Sequence, residues 1–337
     1  MRLSDSVKIL PVWGKVIPGN TGDPKKNVMP VDESLIMEDI FKKYPGVWDK
    51  SCDELGDMKG NATMVWRQEV LDGYAKETMS DVPFLVPYIV PDSDKCVIAC
   101  PGGAYLFKSM DSEGEDIAAF LNEAGISCFV LWYRTYPYHA PLMYLDCQRA
   151  VRYVRHHAAE YHIDPDKIAT VGFSAGGNLC GVEALCFGND PVKYPGYVPD
   201  DIDHEKGLPN AVAMCYPAVS LEDDKATACI AGEDVYRDKS RRQAFAARYD
   251  MRTHLSPDTP PMFLCNCMDD DVLPPMRLAE LAGKCREQGI DCELHIFPKG
   301  GHGFGGCVER PNPFMNPDYS SVSQWKELFI HWLNRVL

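Results

Sequence analysis

"KIATVGFSAGGNLCGVEALCF", residues 167–187, is the stretch on which the reading of the fold turns. Its first seven residues form a short apolar run with β-branched Ile168, Thr170 and Val171, the pattern of a strand buried on both faces. From residue 174 onward a helix follows without an intervening loop. Ser174 stands at the junction, flanked two positions away by Gly172 and Gly176. Gly-x-Ser-x-Gly also arises by chance where small residues gather near helix starts, and serine is a good N-cap. A cap, however, does not call for small residues on both sides. A sharp strand-to-helix turn does, because it strains the serine backbone, lifts the hydroxyl above the sheet and brings neighbouring backbone close. The helix start adds free amide donors and a positive dipole end.

Working outward, "KCVIAC" (95–100), "SEGEDIAAFLNEAG" (112–125), "ISCFVLWY" (126–133) and "PLMYLDCQRAVRYVRHHAAEY" (141–161) precede this stretch as strand, helix, strand, helix. Near-continuous apolar strands joined by crossover helices predict a mostly parallel sheet covered on both faces. "AVAMCYP" (211–217), "PMFLCNC" (261–267) and "CELHIFP" (292–298) continue the strands, with helices expected around 275–288 and 322–336. Long insertions at 189–210 and at about 218–259 are read as following strand ends, the edge where such sheets bind ligands. Residues 1–75, rich in Pro, Gly and Asp, read as an extension with a helical stretch near "DESLIMEDIFKKY", packed on a main domain of residues 76–337.

Composition bounds the function. With 337 residues, 45% hydrophobic, the chain buries roughly three quarters of its unfolded surface and needs no staples. A formal charge of −15 argues against nucleic acid and against a polyanionic substrate. Fourteen cysteines are too dilute for a disulfide framework and read as reduced thiols. Without an apolar signal-like head or a run of about 18 apolar residues, the expectation is a cytoplasmic protein with no membrane partner. "NAT" (61–63) fits a glycosylation sequon, which is idle inside the cell.

A serine hydroxyl needs a base to take its proton, usually a histidine oriented by a carboxylate. His302, in the glycine-rich "FPKGGHGFGG", follows the strand at 292–298, whereas His156, His157 and His162 fall on or at the end of a helix. "CNCMDDDVLPPM" offers Asp269, Asp270 and Asp271 after another strand, and any of the three could orient the base. Three aspartates in a row more often make a solvated loop, but the order Ser, Asp, His at strand ends is the α/β-hydrolase arrangement. "CPGGAY" (100–105) follows an early strand, where Gly102, Gly103 and Ala104 allow backbone amides to approach an oxyanion, with the amide of Ala175 completing the hole.

These segments together resemble the α/β-hydrolase esterases related to acetylxylan esterases over most of residues 84–337. The resemblance implies Ser174 as nucleophile, Asp270 as orienting acid and His302 as base. It implies an oxyanion hole from the amides of Gly103, Ala104 and Ala175, with no cofactor and no metal. Its substrates would be short-chain, first acetyl, esters on carbohydrate such as xylo-oligosaccharides. Pro101 stands where many relatives in the wider esterase group have histidine, and Ala104 where many have a third glycine. A general short-chain carboxylesterase, an arylformamidase-like amidase, a dipeptidyl-type peptidase and a non-catalytic binding protein on the same fold are the alternatives. Tyr105 and Phe304 neighbour the oxyanion turn and the base and are expected either to wall an acyl pocket or to pack generically. Cys265 and Cys267 fall on one face of a buried strand and have no second pair at ligand spacing.

Overall fold

A computed structural model describes residues 8–20, 56–57, 65–71, 74–80, 82–105, 107–136, 138–221, 226–309 and 318–337. The helical stretch expected near residues 32–44 and the sequon at 61–63 lie outside them. The strands are β1 (Leu10–Pro11), β2 (Gly56–Asp57), β3 (Val65–Leu71), β4 (Tyr74–Ser80), β5 (Phe84–Tyr88), β6 (Cys96–Cys100), β7 (Ser127–Trp132), β8 (Ile168–Phe173), β9 (Ala211–Cys215), β10 (Met262–Cys267) and β11 (Cys292–Phe297). β2, β3 and β4 form a small antiparallel sheet, and β4 runs across the boundary expected near residue 75. The other eight make one sheet in the order β1-β5-β7-β6-β8-β9-β10-β11. β6 to β11 run parallel, while β5 is antiparallel to β7 and β1 antiparallel to β5.

The helices are α1 (Asp116–Glu123), α2 (Leu142–His156), α3 (Ala175–Val182), α4 (Ala226–Ala231), α5 (Glu233–Arg237), α6 (Lys239–Arg248), α7 (Met276–Gln288) and α8 (Trp325–Val336). Alternation along the strands divides the core into two layers. Cys96, Ile98 and Cys100 of β6 join Met143, Cys147 and Val151 of α2 and Leu179 of α3 on one face. Val97 and Ala99 join Ile117 and Leu121 of α1 and Trp325, Phe329 and Trp332 of α8 on the other. Every residue of β6, β7, β8, β9 and β10 is buried, which is why these strands read as unbroken apolar runs. No helix among the described residues is long and apolar enough to cross a membrane.

Residues 8–20 dock on α2. Trp13 donates its indole N–H to Asp146 at 2.8 Å, and Arg149 Nε donates to the Val12 carbonyl at 2.8 Å. Asp146 also takes Arg134 in a fully buried ion pair at 2.6 Å.

The two insertions do not share an edge, contrary to their expected placement. The segment 189–210 follows α3, not a strand, and leads into β9, where the Asn210 amide reaches the Ile168 carbonyl at the start of β8. It is anchored there by α2, through Arg149 on Asp200 at 2.7 Å and Arg152 and Arg155 on the carbonyls of Glu205 and Lys206. The second insertion does leave a strand end. It follows β9, carries α4, α5 and α6, and receives the Ala140 amide on the Ile230 carbonyl at 2.7 Å.

The chain passes from β6 to β7 on one side and returns to β8 on the other, so the strand order reverses between β6 and β8. That switch point opens a crevice at the strand C-termini. This is the α/β-hydrolase fold, and the loops after β6 and β8 meet in its crevice.

Candidate active site

Ser174 occupies the turn between β8 and α3 with φ +53° and ψ −116°, a conformation costly for any residue with a side chain. Its amide donates to the Cys215 carbonyl at 3.0 Å, which fixes the turn to the end of β9. Gly176 makes the turn possible, since a Cβ there would lie 1.9 Å from the Cys100 carbonyl oxygen. The serine is half-buried at the crevice floor.

His302 lies between Gly301 (φ +61°) and Gly303 (φ +80°) in the loop after β11. Its Nε2 is 2.9 Å from Ser174 Oγ and its Nδ1 2.9 Å from Asp270 Oδ2. Asp270 is 2% exposed, and its other oxygen accepts the amides of Val272 at 2.9 Å and Leu273 at 2.8 Å. Of the three aspartates only Asp270 contacts the imidazole. Asp269 Oδ1 accepts the Gly301 amide at 2.9 Å and so braces the histidine loop, and Asp271 is exposed.

In the loop after β6, Gly103 takes φ +138°, and a Cβ there would stand 2.2 Å from the Phe107 carbonyl oxygen. Ala104 follows at φ +54°, left-handed backbone that glycine adopts at less cost, so the missing third glycine is felt as strain. The amides of Gly103, Ala104 and Ala175 meet no acceptor among the described residues, whereas the Gly102 amide is taken by Glu113 Oε2 at 2.6 Å. The loop is anchored at Pro101 by the Tyr133 hydroxyl, which donates to its carbonyl at 2.6 Å.

Tyr105 and Phe304 are both fully buried. The Tyr105 hydroxyl donates to Asn178 Oδ1 at 2.6 Å, beside Tyr144 at 3.0 Å, and Asn178 Nδ2 donates to the Ala218 carbonyl at 2.6 Å. Phe304 packs edge-on to Tyr216 at 4.4 Å. Both rings thus support the site's loops from within. His156 and His157 sit on and after α2 beside Glu205 and Tyr153, away from the crevice. Cys265 and Cys267 are buried in one core layer, and Cys267 Sγ donates to the Lys299 carbonyl at 3.5 Å.

Three features escaped the sequence. Asp269 braces the base loop, and Glu113 and Tyr216 join in a buried hydrogen bond at 2.8 Å. The thiols of Cys100, Cys147 and Cys180 gather within 4.8 Å of one another beneath the elbow, where burial pushes the Cys100 thiol up.

A family model described as BD-FAE matches residues 86–284. The acetyl ester-xyloside bifunctional hydrolase of Caldicellulosiruptor lactoaceticus superposes with a TM-score of 0.66 at 33% identity, over 76% of this chain and 88% of that one. An acetylxylan esterase of Xylanibacter ruminicola is 28% identical over 63% of this chain and 42% of its own length. The endo-1,4-beta-xylanase B of Butyrivibrio fibrisolvens is 29% identical over 73% of this chain and 38% of its own length. The chain therefore spans about two fifths of the length of these two curated relatives.

Proposed function

Since the chain belongs to the BD-FAE family, we propose that it is a serine esterase that hydrolyses short-chain, first of all acetyl, esters on carbohydrate such as xylo-oligosaccharides. The observation that carries this reading is the unbroken path Asp270–His302–Ser174, with two contacts of 2.9 Å, beside a loop whose Gly103 and Ala104 amides meet no acceptor among the described residues. Ser174 Oγ attacks the ester carbonyl as His302 Nε2 accepts its proton. Asp270 holds Nδ1–H and stabilises the imidazolium. The amides of Gly103, Ala104 and Ala175 take the developing oxyanion, which they do best when no other acceptor competes for them. His302 then protonates the leaving alkoxide, and water repeats the sequence to release the acid and restore Ser174.

The acetyl preference and the sugar are supported by the relatives' names, not by the geometry, which carries the reaction class. The pocket walls on this reading come from the second insertion, which lies at the strand C-termini, and not from residues 189–210. The catalytic unit is built mainly from residues 76–337, with the preceding residues an extension upon it, although residues 8–20 dock on α2 and supply β1 to the main sheet and β4 spans the boundary. A cytoplasmic setting without nucleic-acid or membrane partners belongs to the same proposal. It is supported by cysteines that form no disulfide among the described residues and by the acidic charge.

The test is a panel of aryl acetate, butyrate and octanoate esters beside acetylated xylo-oligosaccharides and formylkynurenine. Higher kcat/KM for acetyl than for octanoyl esters, with acetate released from the oligosaccharide, is expected. A preference for octanoyl esters overturns the acetylesterase assignment, and turnover of formylkynurenine alone overturns the ester substrate.

A further inference from the structure

Glu113 lies in the π-helical turn Asp111–Glu115 that leads into α1, and it is 3% exposed. Its Oε2 accepts the Gly102 amide at 2.6 Å, and its Oε1 accepts the Tyr216 hydroxyl at 2.8 Å. The Tyr216 hydroxyl oxygen in turn accepts the Gly305 amide at 3.0 Å. One carboxyl therefore joins the loop after β6 to the loop of the base. Tyr216 is itself held in strain directly after β9, at φ +39°, with its amide on the Cys265 carbonyl at 2.6 Å. Its ring stands edge-on to the His302 imidazole at 4.9 Å.

We propose that Glu113 and Tyr216 are positioning residues that hold the oxyanion loop and the histidine loop in one register above Ser174. The proposal rests on the esterase reading for its catalytic consequence, though not for the coupling between the loops. Each hydrogen in the chain Gly305 N–H, Tyr216 O–H, Gly102 N–H is used once and ends on an acceptor, an arrangement that suits an ionised carboxylate. Burial opposes that state and pushes the Glu113 pKa up, while the Tyr216 hydroxyl, the Gly102 amide and the nearby His302 pull it back. An apolar side chain would fill the same space without burying a carboxyl, which is costly. What the carboxyl adds is reach, because it is the acceptor for two loops at once. With Gly102 fixed, the next two amides face one direction, and with Gly305 fixed, His302 stays at hydrogen-bond distance from the serine. A displacement of about 1 Å in such an arrangement costs on the order of 10²-fold in rate. Backbone bonds from the Gly306 amide to the Ser112 carbonyl, 2.8 Å, and from the Ser109 amide to the Gly102 carbonyl, 2.9 Å, tie the histidine loop and the oxyanion loop independently to the segment that carries Glu113. Loss of the side-chain link therefore loosens the site without releasing the fold.

The test compares wild type with Tyr216→Phe, which keeps the ring against His302, with Glu113→Ala and Glu113→Gln, and with the double variant Glu113→Ala/Tyr216→Phe. For aryl acetate, kcat is expected to fall about 10-fold in Tyr216→Phe and about 100-fold in Glu113→Ala, with KM within about threefold. Glu113→Gln, which can accept from Gly102 and offer its amide to the Tyr216 oxygen, should recover part of the loss. The double variant should be no worse than Glu113→Ala, since the two residues act through one link. Amide hydrogen exchange supplies the measurement that does not depend on turnover: Tyr216→Phe should speed exchange in residues 102–105 as well as in residues 301–306. Losses that multiply in the double variant, kcat within threefold of wild type in both single variants, or exchange that changes in only one loop would overturn the proposal. An inert wild type would instead refute the esterase reading, and the exchange comparison would still decide on the coupling.

Discussion

Replacing Asp270 by asparagine sets two needs of one side chain against each other. The carboxylate receives His302 Nδ1–H on one oxygen and the amides of Val272 and Leu273 on the other. An asparagine that turns its oxygen to the two backbone amides points its NH₂ at Nδ1. The imidazole must then carry its proton on Nε2, where it donates to Ser174 and cannot accept from it. The opposite flip preserves the productive tautomer but leaves two half-buried N–H groups facing an NH₂, at up to about 1–3 kcal/mol each. The productive orientation is thus disfavoured by about 2–6 kcal/mol, which corresponds to roughly 30-fold to 10⁴-fold in rate. The lost charge no longer stabilises the imidazolium, which moves the expectation toward the upper end, up to about 10⁴ in kcat. Asp269→Asn keeps an oxygen for the Gly301 amide, and Asp271 is exposed, so both variants should retain kcat within about threefold. Initial rates on an aryl acetate with the three purified variants make the comparison. A larger loss in Asp271→Asn than in Asp270→Asn, or an Asp270→Asn enzyme within tenfold of wild type, would refute the reasoning.

Gly176→Ala should yield little folded protein and no turnover, because its Cβ would meet the Cys100 carbonyl oxygen at 1.9 Å and backbone on both sides would have to move; a well-folded, active variant by circular dichroism and aryl acetate assay would contradict this. Asn178→Ala strands the hydroxyls of Tyr105 and Tyr144 and the Ala218 carbonyl, and should lower stability by about 2–5 kcal/mol, read as a Tm lower by about 3–7 °C. Glu113 has a folded-state pKa raised from 4.5 by burial, so its folded form binds the proton more tightly than the unfolded chain. Its contribution is fully present below 4.5 and is lost as pH rises through the raised value. Denaturant titrations should therefore show the stability of wild type relative to Glu113→Gln falling as pH increases across that window, and a difference that grows with pH would have the wrong sign.

The sheet was legible because its central strands are buried on both faces and so read as unbroken apolar runs with little ambiguity of period. The elbow was legible because backbone crowding demands glycine at 172 and 176, a requirement visible without coordinates. Asp270 could not be chosen from its neighbours by residue type alone, since only the direction of each carboxylate separates an acid facing His302 from one facing the Gly301 amide. Glu113 was hidden for a different reason: in "SEGEDIAAF" it looks like the solvated start of an amphipathic helix, and its partner Tyr216 is 103 positions away. The sequence pattern reads residues 189–210 as following a strand end, whereas α3 carries the chain back across the sheet before the segment begins. The arginines of α2 that hold that segment, Arg149, Arg152 and Arg155, read in sequence as an ordinary polar helix face.

The central claim is that Ser174 is the nucleophile. Its most direct test is the rate of aryl acetate hydrolysis by Ser174→Ala, with circular dichroism and Tm showing that the fold is retained. Loss of a triad nucleophile costs on the order of 10⁶ in turnover, so the variant should lose about that factor in kcat. A folded Ser174→Ala protein that hydrolyses the ester within tenfold of wild type would contradict the account.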